Sequence, residues 1–106
     1  MTQAAAKRLA VKTLDHVTLV VKDLERSKKF YVDVLGMELL ERPGFSFAGS
    51  WFGAGTTQIH LILEHAESGP AGAKSVPSSR SHHFAFEVAD SHEAAEWVKQ
   101  AGVTIL

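Results

Sequence analysis

Apolar and polar residues alternate in several short runs of the chain. The run "LDHVTLVV" alternates and is rich in β-branched residues, which predicts a strand. Related patterns predict strands in "MELLER", in the more irregular "FSFAGSWF" and in "QIHLILE". Between the first two runs, "LERSKKFYVDVLG" has apolar residues at helical spacing, with Asp23 as a helix N-cap and Gly36 as a stop. Residues 13–65 are therefore predicted to form a βαβββ module.

The composition then changes, and a second set of elements begins. Residues 66–81 are rich in Gly, Pro, Ser and Ala without an apolar period, which is typical of a flexible linker. Beyond the linker, "HHFAFEV" predicts a strand, "ADSHEAAEWVKQAG" a helix and "VTIL" the first residues of another strand. Residues 82–106 are therefore interpreted as the start of a second module, and residues 1–12 as an N-terminal tail.

The two parts align as an internal repeat. His16 falls on His83 and Asp23 falls on Asp90, at a spacing of about 67 residues. The same spacing places Phe30 on Trp97. A period of this length is too long for a solenoid repeat, so we interpret the chain as two copies of one module.

Three histidines occupy equivalent positions in the predicted strands. Side chains alternate between the two faces of a strand, so each of these histidines lies opposite the apolar residues that would pack under a helix. They are His16, His60 and His83. Each one alone is better explained as an ordinary half-buried histidine, but three on matching faces favour a metal site. Imidazole suits Zn, Fe, Ni, Co and Mn, so the metal stays open. His82 takes the repeat position of Asp15 and is predicted to have no ligand role.

Other side chains of this face allow more than one interpretation. Glu64 and Glu87 could act as a general base or orient a ligand, although solvated edge carboxylates are the simpler explanation. Phe45, Phe47 and Trp51 could form the wall of an apolar pocket, and core packing explains them equally well.

Composition and charge restrict the class of protein. The chain has 106 residues, 45% of them hydrophobic, and a formal net charge of -1, which favours neither nucleic acid nor an anionic membrane as partner. It has no cysteine, which excludes disulfides and thiolate ligands and fits a reducing compartment. No apolar run has the roughly 18 residues that a transmembrane helix needs. The tail does not resemble a secretory signal, so a cytoplasmic protein is expected.

Three of these segments carry a family resemblance. The stretches "LDHVTLVVKDLERSKKFYVDVLGM", "QIHLILE" and "HHFAFEVAD" resemble the vicinal oxygen chelate superfamily, which includes glyoxalases, bleomycin-resistance proteins and extradiol dioxygenases. The resemblance covers residues 13–106. It implies an α+β fold in which paired βαβββ modules curl a mixed sheet into a cup around a divalent metal, with helices on the outer face.

The resemblance also implies a ligand set and an activity. The metal ligands would be His16, His60 and His83, where several family enzymes have Glu or Gln at the second position. The implied function is a metal-dependent, glyoxalase-like enzyme acting on a small oxygenated metabolite or thiol adduct through two neighbouring oxygens. A metal-free, ligand-sequestering module of the bleomycin-resistance type and an extradiol-type dioxygenase are the alternatives.

Two expectations concern the assembly of the site. A half-cup exposes strand edges that can pair, so a homodimer is expected. The family's last ligand is usually a Glu on the final strand of the second module, and residues 82–106 are too few to include that strand. We therefore expect the natural chain to continue beyond Leu106 with two more strands.

Overall fold

The structure, a computed structural model, describes residues 8–72 and 83–105. Four strands form one mixed sheet: β1 (His16–Val21), β2 (Glu38–Leu40), β3 (Gly49–Ala54) and β4 (Thr57–Leu63). The strand order is β1-β4-β3-β2, with β1 and β4 parallel and the other two pairs antiparallel. The four strands and the helix between the first two confirm the predicted βαβββ module and the α+β class.

The first helical segment, which consists of an α-helix and a π-helical turn, begins and ends where the sequence predicts. The carboxylate of Asp23 accepts a hydrogen bond of 3.0 Å from the backbone N–H of Arg26, which caps α1 (Leu24–Lys29). A π-helical turn follows directly, from Phe30 to Val34. Gly36 then has a φ of 69°, a left-handed conformation that glycine adopts without steric cost, so the chain can leave the helix here.

The core lies between the first helix and one face of the sheet. Phe52, Ile59 and Leu61 are fully buried. Around them pack the half-buried side chains of β1, α1, the π-helical turn and the residue before β2, namely Val17, Leu19, Val21, Leu24, Tyr31, Val32 and Met37. The predicted register is therefore confirmed, because the odd-numbered positions of β1 and β4 face the helix and the even-numbered positions face away from it.

The second part of the chain forms its helix but not its strands. Helix α2 (Ser91–Gln100) is capped by Asp90, whose carboxylate accepts hydrogen bonds from the N–H groups of His92 and Glu93. Residues 83–88 and 103–105 are not in strands, so both strand predictions are wrong for these described residues. A strand needs the backbone hydrogen bonds of a neighbour, and in the described chain β1 pairs only with β4. The residues from 73 to 81, most of the predicted linker, lie outside the described ranges.

The described residues include no helix that is long and apolar enough to cross a membrane.

Gly49 marks a close backbone approach within the sheet. A Cβ built on this residue would lie 2.3 Å from the carbonyl oxygen of Leu61 and 3.0 Å from two guanidinium nitrogens of Arg42. Gly49 lies in the irregular run "FSFAGSWF", and a glycine inside a strand is typical of such a close backbone contact.

We expect Gly49→Ala to destabilise the protein by about 1–3 kcal/mol, because the backbone of β4 cannot yield to the new methyl group without shifting the sheet. Urea denaturation followed by circular dichroism measures the change. Gly44→Ala is the matched control, since a Cβ there meets no atom of the described residues within 4 Å. Equal stability of the two variants would contradict the close approach.

Candidate functional site

A cavity of about 490 Å³ opens on the face of the sheet opposite the core. Its polar lining comes from β1 and the residue before it, from β4 and from the β2–β3 loop, and consists of Asp15, His16, Thr18, Arg42, Gln58 and His60. Phe45, Phe47, Trp51 and Ile62 supply the apolar part. The three aromatic side chains therefore form a pocket wall, which is the first of the two interpretations that the sequence left open.

The floor of the cavity is a column of three stacked rings from three adjacent strands. Trp51 is directly opposite His60 in the β3–β4 register, and their ring centroids are 4.0 Å apart with an interplanar angle of 5°. The His60 ring stacks in turn on His16, with centroids 4.1 Å apart and an angle of 15°. Strand alternation brings the rings to one face, and stacking fixes their planes.

Each histidine of the column has one ring nitrogen held by a neighbour. Nδ1 of His16 lies 2.8 Å from Oδ2 of Asp15, an oxygen that only accepts when the carboxylate is ionised. In the neutral imidazole the proton is therefore on Nδ1 and the lone pair is on Nε2. Nε2 of His60 lies 2.8 Å from Oε1 of Gln58 and donates to it, which leaves the lone pair of His60 on Nδ1.

The environment of His60 disfavours its charged form. The side chain is almost fully buried, and burial lowers the pKa of His60 below its ordinary value of 6.5. The adjacent His16 lowers the pKa further, whereas Asp15 raises it and the more distant Arg42 lowers it again. His60 is consequently neutral at neutral pH, the state in which an imidazole can donate a lone pair to a metal.

The structure brings together two of the three predicted ligands. His16 and His60 lie side by side, whereas His83 is exposed and does not line the cavity. In residues 8–72 and 83–105, no group of three or more His, Cys, Asp or Glu side chains is arranged to hold a metal ion. The two imidazoles thus fit part of a metal site, and the ligand role of His83 stays a prediction. His82 lies outside the described residues.

The two candidate carboxylates do not contribute to the cavity. Glu64 is exposed, and its Oε2 accepts a hydrogen bond of 2.7 Å from the backbone N–H of Ala71. Glu87 is exposed and borders a different cavity, beside α2.

Sequence reasoning missed Asp15 and Arg42 as residues of this site. Asp15 precedes the first strand, and its role is visible only from its contact with Nδ1 of His16. Arg42 lies in the irregular β2–β3 loop, where strand alternation does not predict direction. The one available signal is the sequence "RPGFSF", in which a cation lies three and five residues before two aromatic residues.

Comparison with known proteins agrees with this fold. Residues 13–106 match the model of the Glyoxalase/Bleomycin resistance protein/Dioxygenase superfamily. The chain belongs to this family, which confirms the resemblance seen in its sequence.

Several enzymes are among the similar proteins. Lactoylglutathione lyase of Neisseria meningitidis is 34% identical over 94 residues, which are 86% of this chain and 67% of the relative. Glutathione transferase FosA of Serratia marcescens is 32% identical over 99 residues, covering 90% of this chain and 64% of the relative. Ethylmalonyl-CoA/methylmalonyl-CoA epimerase of Cereibacter sphaeroides is 29% identical, covering 88% of this chain and 73% of the relative. The chain thus spans about two thirds of the length of these curated relatives.

Solved structures show the same architecture. A glyoxalase family protein from Bacillus anthracis has a TM-score of 0.71 at 24% identity, covering 92% of this chain and 76% of that one. Lactoylglutathione lyase from Agrobacterium tumefaciens has a TM-score of 0.58 at 25% identity, covering 88% of this chain and 70% of that one.

We expect the free energy of unfolding of the metal-free protein to decrease as the pH falls below about 6.5. The folded state, in which the pKa of His60 is lowered, binds a proton less readily than the unfolded state, so acid favours unfolding from the unfolded pKa down to the folded one. Urea denaturation at a series of pH values between 7.5 and about 5 measures the slope.

His60→Gln should flatten this pH dependence, because glutamine does not titrate. His92→Gln is the control, since His92 is exposed in the first turn of α2 and away from the cavity. A steep acid slope that survives in His60→Gln but disappears in His92→Gln would show that a different group titrates.

Proposed function

We propose that the protein is a metal-dependent, glyoxalase-like enzyme that acts on a small oxygenated metabolite or its thiol adduct. The observation that carries the proposal is the histidine pair on the cavity floor, with His16 and His60 stacked at 4.1 Å and the carboxylate of Asp15 on Nδ1 of His16. The named relatives include a lyase, a transferase and an epimerase, which supports an enzyme of this family without choosing among these reactions.

In this proposal, the chain's own residues prepare two nitrogen ligands. Asp15 fixes the tautomer and the ring orientation of His16, as carboxylates do for ligating histidines. Burial keeps His60 neutral and therefore able to bind a metal. A divalent ion held by His16 and His60 would supply Lewis-acid chemistry to two neighbouring oxygens of a substrate. Phe45, Phe47 and Trp51 would cover the apolar part of that substrate and exclude water.

The third ligand in this proposal is His83 from a second copy of the chain. His83 has the repeat position of His16 but lies away from the His16–His60 pair in the same chain. The edge of β1 that faces away from β4 forms no ladder with the described residues, so it is available for pairing between chains. A homodimer would bring the two halves of the site together, with each chain contributing to both sites.

The second candidate is a metal-free module that sequesters a ligand in the same cavity. It is favoured by one observation, namely that the described residues of a single chain do not assemble a group of three metal ligands. The aromatic wall alone would suffice for such a role.

Metal binding separates the two candidates. We expect protein purified without a histidine tag to bind one divalent ion per site, measured by elemental analysis after loading with Zn, Ni, Fe, Mn or Co in turn. His16→Ala and His60→Ala should each lower the affinity by at least about tenfold, and Asp15→Asn by about 10–100-fold. His92→Ala should leave it unchanged. Protein that cannot be loaded with any of these ions would refute the enzyme proposal and leave the sequestering module.

Mixing two defective variants tests where His83 acts. His16→Ala and His83→Ala should each bind metal poorly as homodimers. After subunit exchange, a mixed dimer has one site with both defects and one intact site, so about a quarter of all sites should recover. Native mass spectrometry verifies the exchange. No recovery in verified mixed dimers, or a protein that sediments only as a monomer, would contradict a site shared between chains.

A further inference from the structure

Arg42 is the cationic side chain of the cavity that contains His16 and His60. It follows β2 in the chain and lies in the loop that leads to β3. Its side chain is half-buried, so its charge is partly removed from water. A guanidinium in such a place needs acceptors, because burying an unpaired charge is costly.

The guanidinium is held in one position by its neighbours. Nη2 donates a hydrogen bond of 2.9 Å to the carbonyl oxygen of Phe47. The central carbon lies 4.8 Å from the ring centroid of Phe45 and 5.1 Å from that of Phe47, within the range of cation–π contacts. The missing side chain of Gly49 provides the space beside Nε and Nη2. The planar fork of donors is therefore preorganised.

The charge of this fork is not matched within the described chain. The ion pairs among residues 8–72 and 83–105 involve other side chains, and none of them includes Arg42. The buried Nε has no hydrogen-bond partner there. Asp15, the carboxylate of the same cavity, is bonded to His16. A cation that is positioned by the protein, and left without a carboxylate, is suited to an anionic ligand.

We propose that Arg42 is a specificity-determining residue that binds an oxyanion, a carboxylate or a phosphonate or phosphate group, of the molecule that occupies this cavity. Nε is buried and one N–H of Nη2 is donated to Phe47, so the donors that such oxygens would meet are Nη1 and the remaining N–H of Nη2. This inference rests on the proposed function, and it identifies the substrate as a small anionic metabolite. The charged group of the metabolite lies at Arg42, while its neighbouring oxygens approach His16 and His60. The aromatic rings contact the apolar part between these two ends.

The anion site is testable without metal, so its outcome is separate from that of the proposed function. Metal is removed with a chelating resin, and the protein is titrated at pH 8, above the ordinary histidine pKa of about 6.5. Methylphosphonate and acetate are the probes, and their neutral esters, dimethyl methylphosphonate and methyl acetate, are the matched ligands without charge. The readout is the set of ¹⁵N–¹H resonances of the arginine Nε groups. This part of the spectrum is simple, because the chain has four arginines.

We expect the Arg42 resonance, identified by its absence in Arg42→Lys, to shift on saturation with at least one anion and not with its ester. The anion with the higher affinity shows whether the substrate carries a phosphonate-type or a carboxylate-type group. Arg42→Gln should weaken anion binding by at least about tenfold, since it removes the charge and the fork. Arg42→Lys, which keeps only the charge, should give an intermediate affinity.

Arg26→Gln is the control for net charge, because Arg26 is exposed on α1 and does not line the cavity. It should bind the anions as the wild type does. Circular dichroism shows whether Arg42→Gln folds, and if it does not, the wild-type Arg42 resonance decides alone. An Arg42 resonance that neither anion shifts, or equal anion affinities of folded Arg42→Gln and wild type, would overturn the proposal.

Discussion

The alternation of side chains along β4 determines both the hydrophobic core and the candidate site of this protein. The strand lies between β1 and β3, so its backbone is paired on both edges. Its side chains must therefore lie above or below the sheet. Ile59 and Leu61 are fully buried on the face of the first helix, and this burial stabilises the fold. A shift of one residue would expose both and bury His60 under the helix, so the same constraint that forms the core also directs the histidine into the cavity.

Much of the first module could be predicted because its signals are local. Strand alternation predicted β1 and β4 with the faces of His16 and His60, and the Asp23 and Gly36 signals predicted both ends of the first helical segment. The chain from 83 to 88 shows the limit of this approach. Its alternating phenylalanines satisfy the pattern of a strand, but a strand also requires a partner at the right distance and register, and alternation does not specify that partner. Phe84, Phe86 and Val88 accordingly remain between 41% and 51% exposed.

The candidate site was predictable to a different degree at each residue. His16 and His60 followed from their strands, because a regular strand specifies direction. The position of Arg42 could not be predicted by such a rule, because this residue lies in a loop. The direction of its side chain depends on the rings of Phe45 and Phe47 and on the space at Gly49. Asp15 became meaningful only with the 2.8 Å contact to His16, which fixes the tautomer. Positions on regular elements were thus accessible from the sequence, and contacts between elements were not.

The hydrogen bond between the two helical segments has a consequence for the internal repeat. The indole Nε1 of Trp97 donates to the carbonyl oxygen of Val34, one of the carbonyls that the end of a helix leaves without an internal partner. Two identical modules would make this contact twice, once in each direction. The residue of the first module that corresponds to Trp97 is Phe30, whose ring has no N–H to donate. The contact therefore has a polarity: in the repeat alignment the donor lies in the second part of the chain and the acceptor in the first, and a difference of one ring nitrogen makes the contact between the two helical segments directional.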